Sequence, residues 1–364
     1  DRNYGNKRVL TDFPLEHDGS KWTGTINKLI VGFDYTITGH AYKCSECYDN
    51  YSLTTIAGQA GVEGTQDENG TLATFNSPKG IVLDSYNNIL VADQKNHAIR
   101  IITPSGNVST LAGNIGNLGS SDGNGIEASF YNPRGIVIDI NGIIYVADSG
   151  NHVIRKIDLA KNVTTFAGQS GVPGSSDGHG IQASFKTPAS LSIDISGNIY
   201  VADAGNSLIR KIDSSGNVTT IGSAEIFQNA QGVTVDKNGI IYVADTNNEL
   251  IRKITKDGVV ETINTNVSFL SPRGIVIDNF GNLYISDRTK NLIYKLDKFG
   301  KATVIAGKEG IQGSDDLKSE LTQPYGITLD SNGNLFVTTN DHLIRKLTIN
   351  NSNNSYQEIF RGST

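Results

Sequence analysis

Short runs rich in β-branched and aromatic residues recur along the chain and alternate with turn-forming residues. Within residues 133–168 these runs read Ile-Val-Ile, Tyr-Val-Ala, Ile-Arg-Lys-Ile and Val-Thr-Thr, and Asn-Gly and Asp-x-x-Asn turn signals separate the first three. Such residues favour β-strands. No stretch of about 12 residues keeps a helical periodicity. The pattern therefore predicts a chain built almost entirely of short strands, grouped in fours.

The four-strand pattern occurs six times between residues 52 and 348. We align the copies on a small residue of the first strand: Gly80, Gly135, Ala189, Gly232, Gly274 and Gly326. Gly232 and Gly274 are 42 residues apart, which gives the basic unit, and insertions lengthen the other copies. Four strands repeated at about 42 residues are typical of a β-propeller blade. We therefore predict an all-β, six-bladed β-propeller of four-stranded antiparallel blades, in which the glycines allow close backbone approach around a central channel.

A second motif, Asn-His-x-Ile-Arg, follows the second strand of each copy. Its clearest example is Asn151-His152-Val153-Ile154-Arg155, and the residues that correspond to it are 96–100, 206–210, 248–252, 291–294 and 341–345. With this motif the chain resembles the NHL-repeat family over about residues 52–348. The resemblance implies a propeller and says little about function, because one fold hosts many activities.

The outer strand of the sixth blade has to come from outside the sixth copy, which ends near Leu347. Residues 53–58, which precede the first copy, match the outer-strand pattern Val-Thr-Thr. We expect them to pair with residues 343–347 and so close the ring; residues 356–360 are the competing candidate. The predicted domain limits are an N-terminal extension at 1–51, the propeller at 52–348 and an Asn/Ser-rich tail at 349–364.

Charged residues inside the repeat have a regular spacing that favours a structural role. In four copies an aspartate ends the second strand and an arginine follows seven residues later: Asp93 and Arg100, Asp148 and Arg155, Asp203 and Arg210, and Asp245 and Arg252. Partly buried carboxylate–guanidinium pairs would explain this spacing. The fifth copy keeps Asp287 but has Tyr294, and the sixth keeps Arg345 but has Thr339. We therefore expect Asp287 and Arg345 to pair between neighbouring blades.

Four of the connections from an outer strand to the next inner strand are long, at residues 59–76, 114–131, 169–186 and 308–322. In propellers of the resembled family, these connections share one face with the turns between the second and third strands. On this long-loop face we expect a tall rim over blades 6, 1, 2 and 3.

Loops on a rigid scaffold commonly carry binding residues. The candidate residues of the long-loop face are Asp67, Glu68, Asp122, Asn124, Asp177, His179, Asp315 and Asp316. Two interpretations stay open: Asp and Gly shape turns here, or the acidic loops bind a cationic partner. No loop has the ligand spacing of a calcium hand.

Residues 1–51 contain the chain's single cysteine pair, Cys44 and Cys47. Two cysteines supply half of a structural zinc site at most, so a short-range disulfide and two free thiols remain open. The apolar run at residues 29–33 has no obvious partner within the six copies. Either it is an extra strand packed on the ring or the end of a preceding domain, or it is donated to a neighbouring copy to build a filament.

The overall charge of −6 argues against general binding to nucleic acid, which needs a basic patch. No apolar run approaches the roughly 18 residues of a membrane span. The chain has no Met and begins at Asp1, which we interpret as processing or trimming. Possible glycosylation sequons occur at Asn50, Asn69, Asn107, Asn162, Asn217, Asn266, Asn350 and Asn353. Together these features favour an extracellular or cell-surface protein.

Some relatives of the resembled fold are metal-dependent lyases or lactonases, which need several His or carboxylate ligands at the channel. Here His97, His152 and His342 belong to the repeat motif, His17 and His40 lie outside the propeller, and His179 is in a loop. We therefore expect no metal, no cofactor and no catalysis, but an interaction scaffold that binds protein or glycan through the long-loop face. The alternatives are a self-assembling subunit and a metal-dependent lyase or hydrolase.

Overall fold

The computed structural model of the protein describes residues 50–222 and 225–350, and the backbone of two short segments nearer the amino terminus. These segments, β1 (Glu16–His17) and β2 (Trp22–Thr23), form an antiparallel pair. The cysteine pair, the run at 29–33 and the competing strand at 356–360 lie outside the described residues. Tyr51–Asn350 form one compact unit.

Six antiparallel sheets surround a central channel in this unit, which confirms the predicted six-bladed propeller. The first strand of the unit is β3 (Asn50–Ala57). Blades 1 to 3 follow, each written from the channel outwards. Blade 1 consists of β4 (Pro78–Leu83), β5 (Ile89–Asp93), β6 (Ala98–Ile102) and β7 (Val108–Ala112). Blade 2 consists of β9 (Pro133–Ile138), β10 (Ile144–Asp148), β11 (Val153–Ile157) and β12 (Asn162–Ala167), with the short strand β8 (Gly123–Asn124) at its outer edge; blade 3 consists of β14 (Ser190–Ile193), β15 (Ile199–Asp203), β16 (Leu208–Ile212) and β17 (Asn217–Gly222), with the short strand β13 (Gly178–His179) at its outer edge.

Blades 4 to 6 continue in the same order. Blade 4 consists of β18 (Gly232–Val235), β19 (Ile241–Asp245), β20 (Leu250–Ile254) and β21 (Val260–Thr262). Blade 5 consists of β22 (Pro272–Ile277), β23 (Leu283–Asp287), β24 (Leu292–Leu296) and β25 (Ala302–Gly307). Blade 6 contains β26 (Ile327–Leu329), β27 (Leu335–Thr338) and β28 (Ile344–Asn350). Single 3₁₀ turns occur at Gly70–Leu72, Gln94–Asn96, Gly125–Glu127, Ser149–Asn151, Gly180–Gln182, Ala204–Asn206 and Thr246–Asn248.

The sixth blade has only three strands of its own, and β3 completes it beside β28. The predicted closure by residues 53–58 is therefore confirmed. Leu53 and Ala57 of β3 are buried, and Thr54 Oγ1 donates a hydrogen bond to the carbonyl of Lys346 at 3.4 Å. The two ends of the propeller are joined by a sheet, so the ring has no open seam.

Apolar clusters fill all six interfaces between neighbouring blades. Between blades 1 and 2, for example, Leu90 and Ile99 pack with Ile136 and Val146. The other clusters join the remaining neighbours, ending with the interface of blades 6 and 1. Fully burying one such side chain stabilises a fold by about 1.5–3 kcal/mol. Each sheet is apolar on both faces, and a closed ring gives both faces a neighbour.

The innermost strands approach one another so closely that side chains are excluded at the contact. A Cβ atom on Gly274 would lie 2.2 Å from the carbonyl oxygen of Tyr325, and one on Gly326 would lie 2.0 Å from that of Lys79. The predicted role of these glycines is thus confirmed. In blade 3 the equivalent residue is Ser190, which faces Ala202 across the sheet as Gly232 faces Ala244. The alignment on Ala189 was wrong by one residue.

Candidate functional site

The repeat aspartates and arginines pair inside their own blades. The N···O distances are 2.8 Å for Asp93–Arg100, 3.1 Å for Asp148–Arg155, 3.1 Å for Asp203–Arg210 and 2.6 Å for Asp245–Arg252. The Asn of the Asn-His motif joins each pair: Asn151 Nδ2 donates to Asp148 at 2.7 Å. The backbone N–H of Tyr131 also donates to Asp148, at 2.8 Å.

Burial raises the pKa of Asp148 to about 6, because a carboxylate loses hydration in the blade interior. The hydrogen bonds from Asn151 and Tyr131 and the charge of Arg155 oppose this effect. Asp148 is thus ionised at neutral pH. Its bonds to Tyr131, Asn151 and Arg155 indicate a role in fixing the turn between the second and third strands of blade 2.

The loop aspartates that were candidates for a binding face bind the same arginines from the other side. The N···O distances are 2.6 Å for Asp67–Arg100, 2.8 Å for Asp122–Arg155 and 2.7 Å for Asp177–Arg210, and Asp316 pairs with Arg345 in the same manner. These carboxylates are about half exposed, so water screens the pairs partly. The structure therefore assigns them to the anchoring of loops rather than to a shared acidic surface.

The remaining candidates are also separate from one another. Asp315 pairs with Lys318 at 3.0 Å, Asn124 Nδ2 donates to the carbonyl of Ala160 at 2.7 Å, and the backbone carbonyl of Glu68 accepts from Val108. His179 lies in β13, opposite Asn217 at the edge of blade 3.

The expected tall rim is wrong, because the long connections run down the outside of the blades. β8 pairs with the outer strand β12, and β13 pairs with β17. The loops reach the turns between third and fourth strands, where Asn69 Nδ2 donates to the carbonyl of Ser105 at 3.2 Å. Those turns belong to the face opposite the long-loop face, since strands in a blade alternate in direction. The long loops therefore widen the blades instead of walling a site.

The expected pairing of Asp287 with Arg345 is also wrong. Asp287 instead accepts backbone hydrogen bonds from Leu270 at 2.8 Å and Ser271 at 3.1 Å. Arg345 pairs with Asp316 of the loop that precedes its own blade. Each charged group has a local partner that the seven-residue spacing did not reveal.

The motif histidines connect neighbouring blades. Nδ1 of His97, His152 and His342 accepts the backbone N–H of Asn132, Thr187 and Ser77, respectively, at 3.1, 3.1 and 3.0 Å. In blade 5 the side chain of Asn291 accepts the N–H of Gln323 in the same way, at 2.9 Å. Burial lowers the pKa of all three histidines, which keeps Nδ1 free to accept.

The residue before the small first-strand residue of each blade lies at the channel on the long-loop face. We call these six the channel-mouth residues: Lys79, Arg134, Ala189, Gln231, Arg273 and Tyr325. The close packing of inner strands fixes their backbone. Two hydroxyl groups also hold this backbone in place. Ser286 Oγ donates a hydrogen bond to the carbonyl of Tyr325 and Thr338 Oγ1 donates one to the carbonyl of Lys79, each at 2.6 Å.

The side chains of the channel-mouth residues converge over the channel. Gln231 Oε1 accepts the hydroxyl of Tyr325 at 2.9 Å and an N–H of Arg134 at 3.4 Å, so blades 2, 4 and 6 meet there. The ammonium of Lys79 lies 4.4 Å from the centre of the Tyr325 ring, and the guanidinium of Arg273 lies 5.8 Å from it. Five of the six blades thus contribute to one cluster, and blade 3 contributes only the methyl group of Ala189.

The cluster carries concentrated positive charge. Lys79, Arg134 and Arg273 lie together with Arg288, whose guanidinium donates to Gln323 Oε1 at 2.7 Å. Burial, reinforced by Arg288, Arg134 and Arg273, lowers the pKa of Lys79 to about 7. Burial also lowers the pKa of Arg273, with contributions from Arg288 and Arg134. The mouth is therefore an electropositive site that accommodates charge with difficulty in the unliganded protein.

Comparison with known proteins identifies the repeat. The family model for the NHL repeat matches residues 75–102, 130–157 and 227–254. The chain is an NHL-repeat β-propeller.

The NHL propeller is 36% identical over 174 residues to NHL repeat-containing protein 2 of Gallus gallus, a match covering 43% of this chain and 24% of that protein. Over 91 residues it is 37% identical to a Caenorhabditis elegans protein named a probable peptidyl-α-hydroxyglycine α-amidating lyase, covering 24% of this chain and 25% of that protein. The chain thus matches about a quarter of the length of these relatives.

A solved structure from Bacteroides thetaiotaomicron, a structural genomics protein of unknown function, has a TM-score of 0.66 at 20% identity. The match covers 82% of the NHL propeller and 76% of that chain. At this identity the likeness shows the fold alone.

The channel mouth of the NHL propeller was not found from the sequence. Its residues are unlike each other and stand 42 to 55 places apart, as the 42 residues from Gln231 to Arg273 illustrate. A column-by-column alignment of the repeat at the position before the first-strand glycine would have shown three basic residues in six copies. The acidic overall charge hid this local excess of positive charge.

Metal-binding side chains do not gather anywhere in residues 50–222 and 225–350: no group of three or more His, Cys, Asp or Glu is placed to share an ion. The helical turns of the described chain are all too short to cross a bilayer.

Proposed function

We propose that the NHL propeller is a non-catalytic binding module that holds its ligand at the channel mouth. The observation that carries this is the convergence of Lys79, Arg134, Gln231, Arg273 and Tyr325, from five blades, over one channel. Side chains on rigid strands form a preorganised site, which reduces the entropic cost of binding. The fold by itself leaves the function open, so the site has to carry the argument.

The chemistry of the mouth supports binding more than catalysis. Arginine, glutamine and tyrosine orient a ligand through hydrogen bonds. A metal cation in the channel would face the charges of Arg134 and Arg273, which line it. The alternative of a metal-dependent lyase takes its support from the likeness to the nematode lyase over 24% of the chain. Metal analysis of the purified protein tests it.

An extracellular location, with a protein or glycan as ligand, is part of the proposal. The described sequon residues Asn69, Asn107, Asn162, Asn217 and Asn266 are all exposed. Asn107, Asn162 and Asn217 lie on turns opposite the channel mouth, so glycans there would leave the mouth free. Self-assembly through the N-terminal extension concerns residues outside the described range, and size measurement with and without residues 1–51 tests it.

The test of the proposed function is a thermal-shift screen with sugars, peptides and organic acids. Gln231→Leu removes the central acceptor of the cluster, and Gln182→Leu is the matched control on an exposed loop. Ligands should stabilise the wild type and Gln182→Leu, fail to stabilise Gln231→Leu, and be recovered unchanged by mass spectrometry. Chemical conversion of a ligand, or stabilisation that ignores Gln231→Leu, would contradict the proposal.

A further inference from the structure

We propose that the group bound at the channel mouth is an oxyanion, a carboxylate or phosphate of the ligand. This rests on the proposed function and specifies its ligand class. The site consists of Arg134, Arg273 and Lys79, with Gln231 and Tyr325 between them, and Arg288 adds positive charge nearby.

The first argument is the contrast between these cations, of which Lys79 is buried and the three arginines are half-buried, and the protein's fully buried arginines. Arg100, Arg155, Arg210 and Arg345 are fully buried, and each has at least one carboxylate partner. Among the described residues, the cations of the mouth form no ion pair: the pairs found elsewhere involve other residues. An unpaired buried charge is costly. The missing carboxylate is what a bound oxyanion would supply.

The second argument is unused hydrogen-bonding capacity. Nε of Arg134 is buried and has no hydrogen-bond partner among the described residues. The guanidinium of Arg273 donates from Nε to the hydroxyl of Ser271 at 3.2 Å and interacts with Tyr325, and no carboxylate among the described residues meets its terminal N–H groups. A guanidinium presents donors in a fixed fork that matches two oxygens of a carboxylate or phosphate. Arg134 and Arg273 come from blades 2 and 5, so an oxyanion over the channel is approached from opposite sides.

The third argument is size. The channel below the mouth contains a cavity of about 70 Å³, lined by Arg134, Gln231, Arg273 and Tyr325 among others. That volume corresponds to roughly five water molecules, which suits one carboxylate or phosphate group. The rest of the ligand would lie on the long-loop face above. A long polyanion such as RNA would need a basic stripe, whereas these cations are gathered at one point.

The test is calorimetric titration with inorganic phosphate, citrate and glucuronate, and with glucose as the neutral counterpart of glucuronate. The variant is Arg134→Gln/Arg273→Gln. The control, Lys298→Gln/Lys301→Gln, removes the same charge from exposed positions on the opposite face. We expect at least one oxyanion to bind the wild type and the control, with affinity about tenfold or more lower in the arginine variant, since each 1.4 kcal/mol corresponds to tenfold.

The pattern of probes identifies the source of the oxyanion. Binding of phosphate alone indicates a phosphorylated ligand, and binding of glucuronate or citrate indicates a carboxylic acid or acidic sugar. Glucose binding as tightly as glucuronate, or oxyanion affinity unchanged in the arginine variant, would overturn the inference. A neutral ligand that still depends on Gln231 would leave the proposed function intact, so the two failures are distinguishable.

Discussion

Tyr325 donates its hydroxyl hydrogen to Gln231 Oε1 across 2.9 Å, and this bond joins blades 6 and 4 over the central channel. The two residues are 94 positions apart in the chain. Gln231 is itself held by Asn229, whose Oδ1 accepts from Gln231 Nε2 at 2.6 Å. The mouth is therefore organised before any ligand arrives, and its parts come from distant copies of one repeat.

The bond between Tyr325 and Gln231 can be tested by Tyr325→Phe. The substitution keeps the ring beneath Lys79 but leaves the buried oxygen of Gln231 with fewer donors. We expect the free energy of unfolding to fall by about 1 kcal/mol, measured by urea unfolding at neutral pH. The affinity for the oxyanion probe should fall as well, because Gln231 would be less firmly positioned.

The control for Tyr325→Phe is Tyr242→Phe. Tyr242 is partly buried in blade 4, and its hydroxyl has no hydrogen-bond partner among the described residues. Its removal should change stability by less than about 0.5 kcal/mol. If both substitutions lowered the free energy of unfolding by the same amount, the Tyr325–Gln231 hydrogen bond would make no specific contribution to stability.

The two carboxylates bound to Arg155 should differ in their contribution to stability. Asp148 is fully buried, whereas the Asp122 side chain is 53% exposed. Arg155→Leu leaves Asp148 buried without its counter-charge, so we expect a loss of about 3–5 kcal/mol. Asp122→Asn weakens only a solvent-screened pair and should cost about 1 kcal/mol or less. Urea unfolding of both variants provides the comparison.

A double substitution guards against the case in which Arg155→Leu does not fold. Asp148→Asn/Arg155→Leu removes both charges and should be more stable than Arg155→Leu alone, since no unpaired buried charge remains. If the double variant is the less stable of the two, the pair does not act through its charges.

The sequence predicted the scaffold well because the scaffold depends on features that repeat. The first-strand glycines, the outer-strand pattern at residues 53–58 and the Asp–Arg spacing of seven each recur, and recurrence makes the pattern visible. The loop aspartate that binds each of three arginines also had a recognisable spacing in the sequence. Asp67, Asp122 and Asp177 each lie 33 residues before the arginine that they bind.

The site was harder to predict for a physical reason. Asp122, which precedes Gly123, has the same turn chemistry whether its loop rises above a face or follows the edge of a blade. Lys79 and Arg273 look like ordinary charged residues next to a proline until the ring closes and brings them to one axis. The proposed ligand chemistry depends on the residues in which the copies differ, and repeat detection averages over those differences.

The histidine links between blades should make stability depend on pH. Burial lowers the pKa of His152 in the folded state below its ordinary value near 6.5. The unfolded chain therefore takes up a proton first as pH falls below 6.5, and folding stability decreases. His152→Asn keeps an acceptor, as Asn291 does in blade 5, but cannot titrate.

Urea unfolding between pH 8 and pH 5 should show the wild type losing stability relative to His152→Asn only in the acidic part of the range. His179→Asn, on the exposed edge strand, should follow the wild type. A constant difference across the range would mean that His152 does not titrate in the unfolding reaction.

Lys79 should reduce the stability of the unliganded protein, in keeping with a binding role. Its pKa is about 7 when folded, because of burial beside Arg288, Arg134 and Arg273, and near 10.4 when unfolded. Below about pH 7 Lys79 is protonated in both states, and the folded protein bears the full cost of its buried charge. Between about pH 7 and 10.4 the unfolded chain binds a proton at Lys79 that the folded chain does not. The stability of the wild type therefore rises with pH over that range. Lys79→Met should therefore be more stable than the wild type at pH 6, by an amount on the order of 1–3 kcal/mol, and this difference in stability should close towards pH 10.

Lys253→Met, which removes a partly exposed lysine paired with Glu261, controls for loss of charge alone. A gap that stays constant with pH would show that Lys79 carries its charge at no cost and would weaken the case for an oxyanion at the mouth.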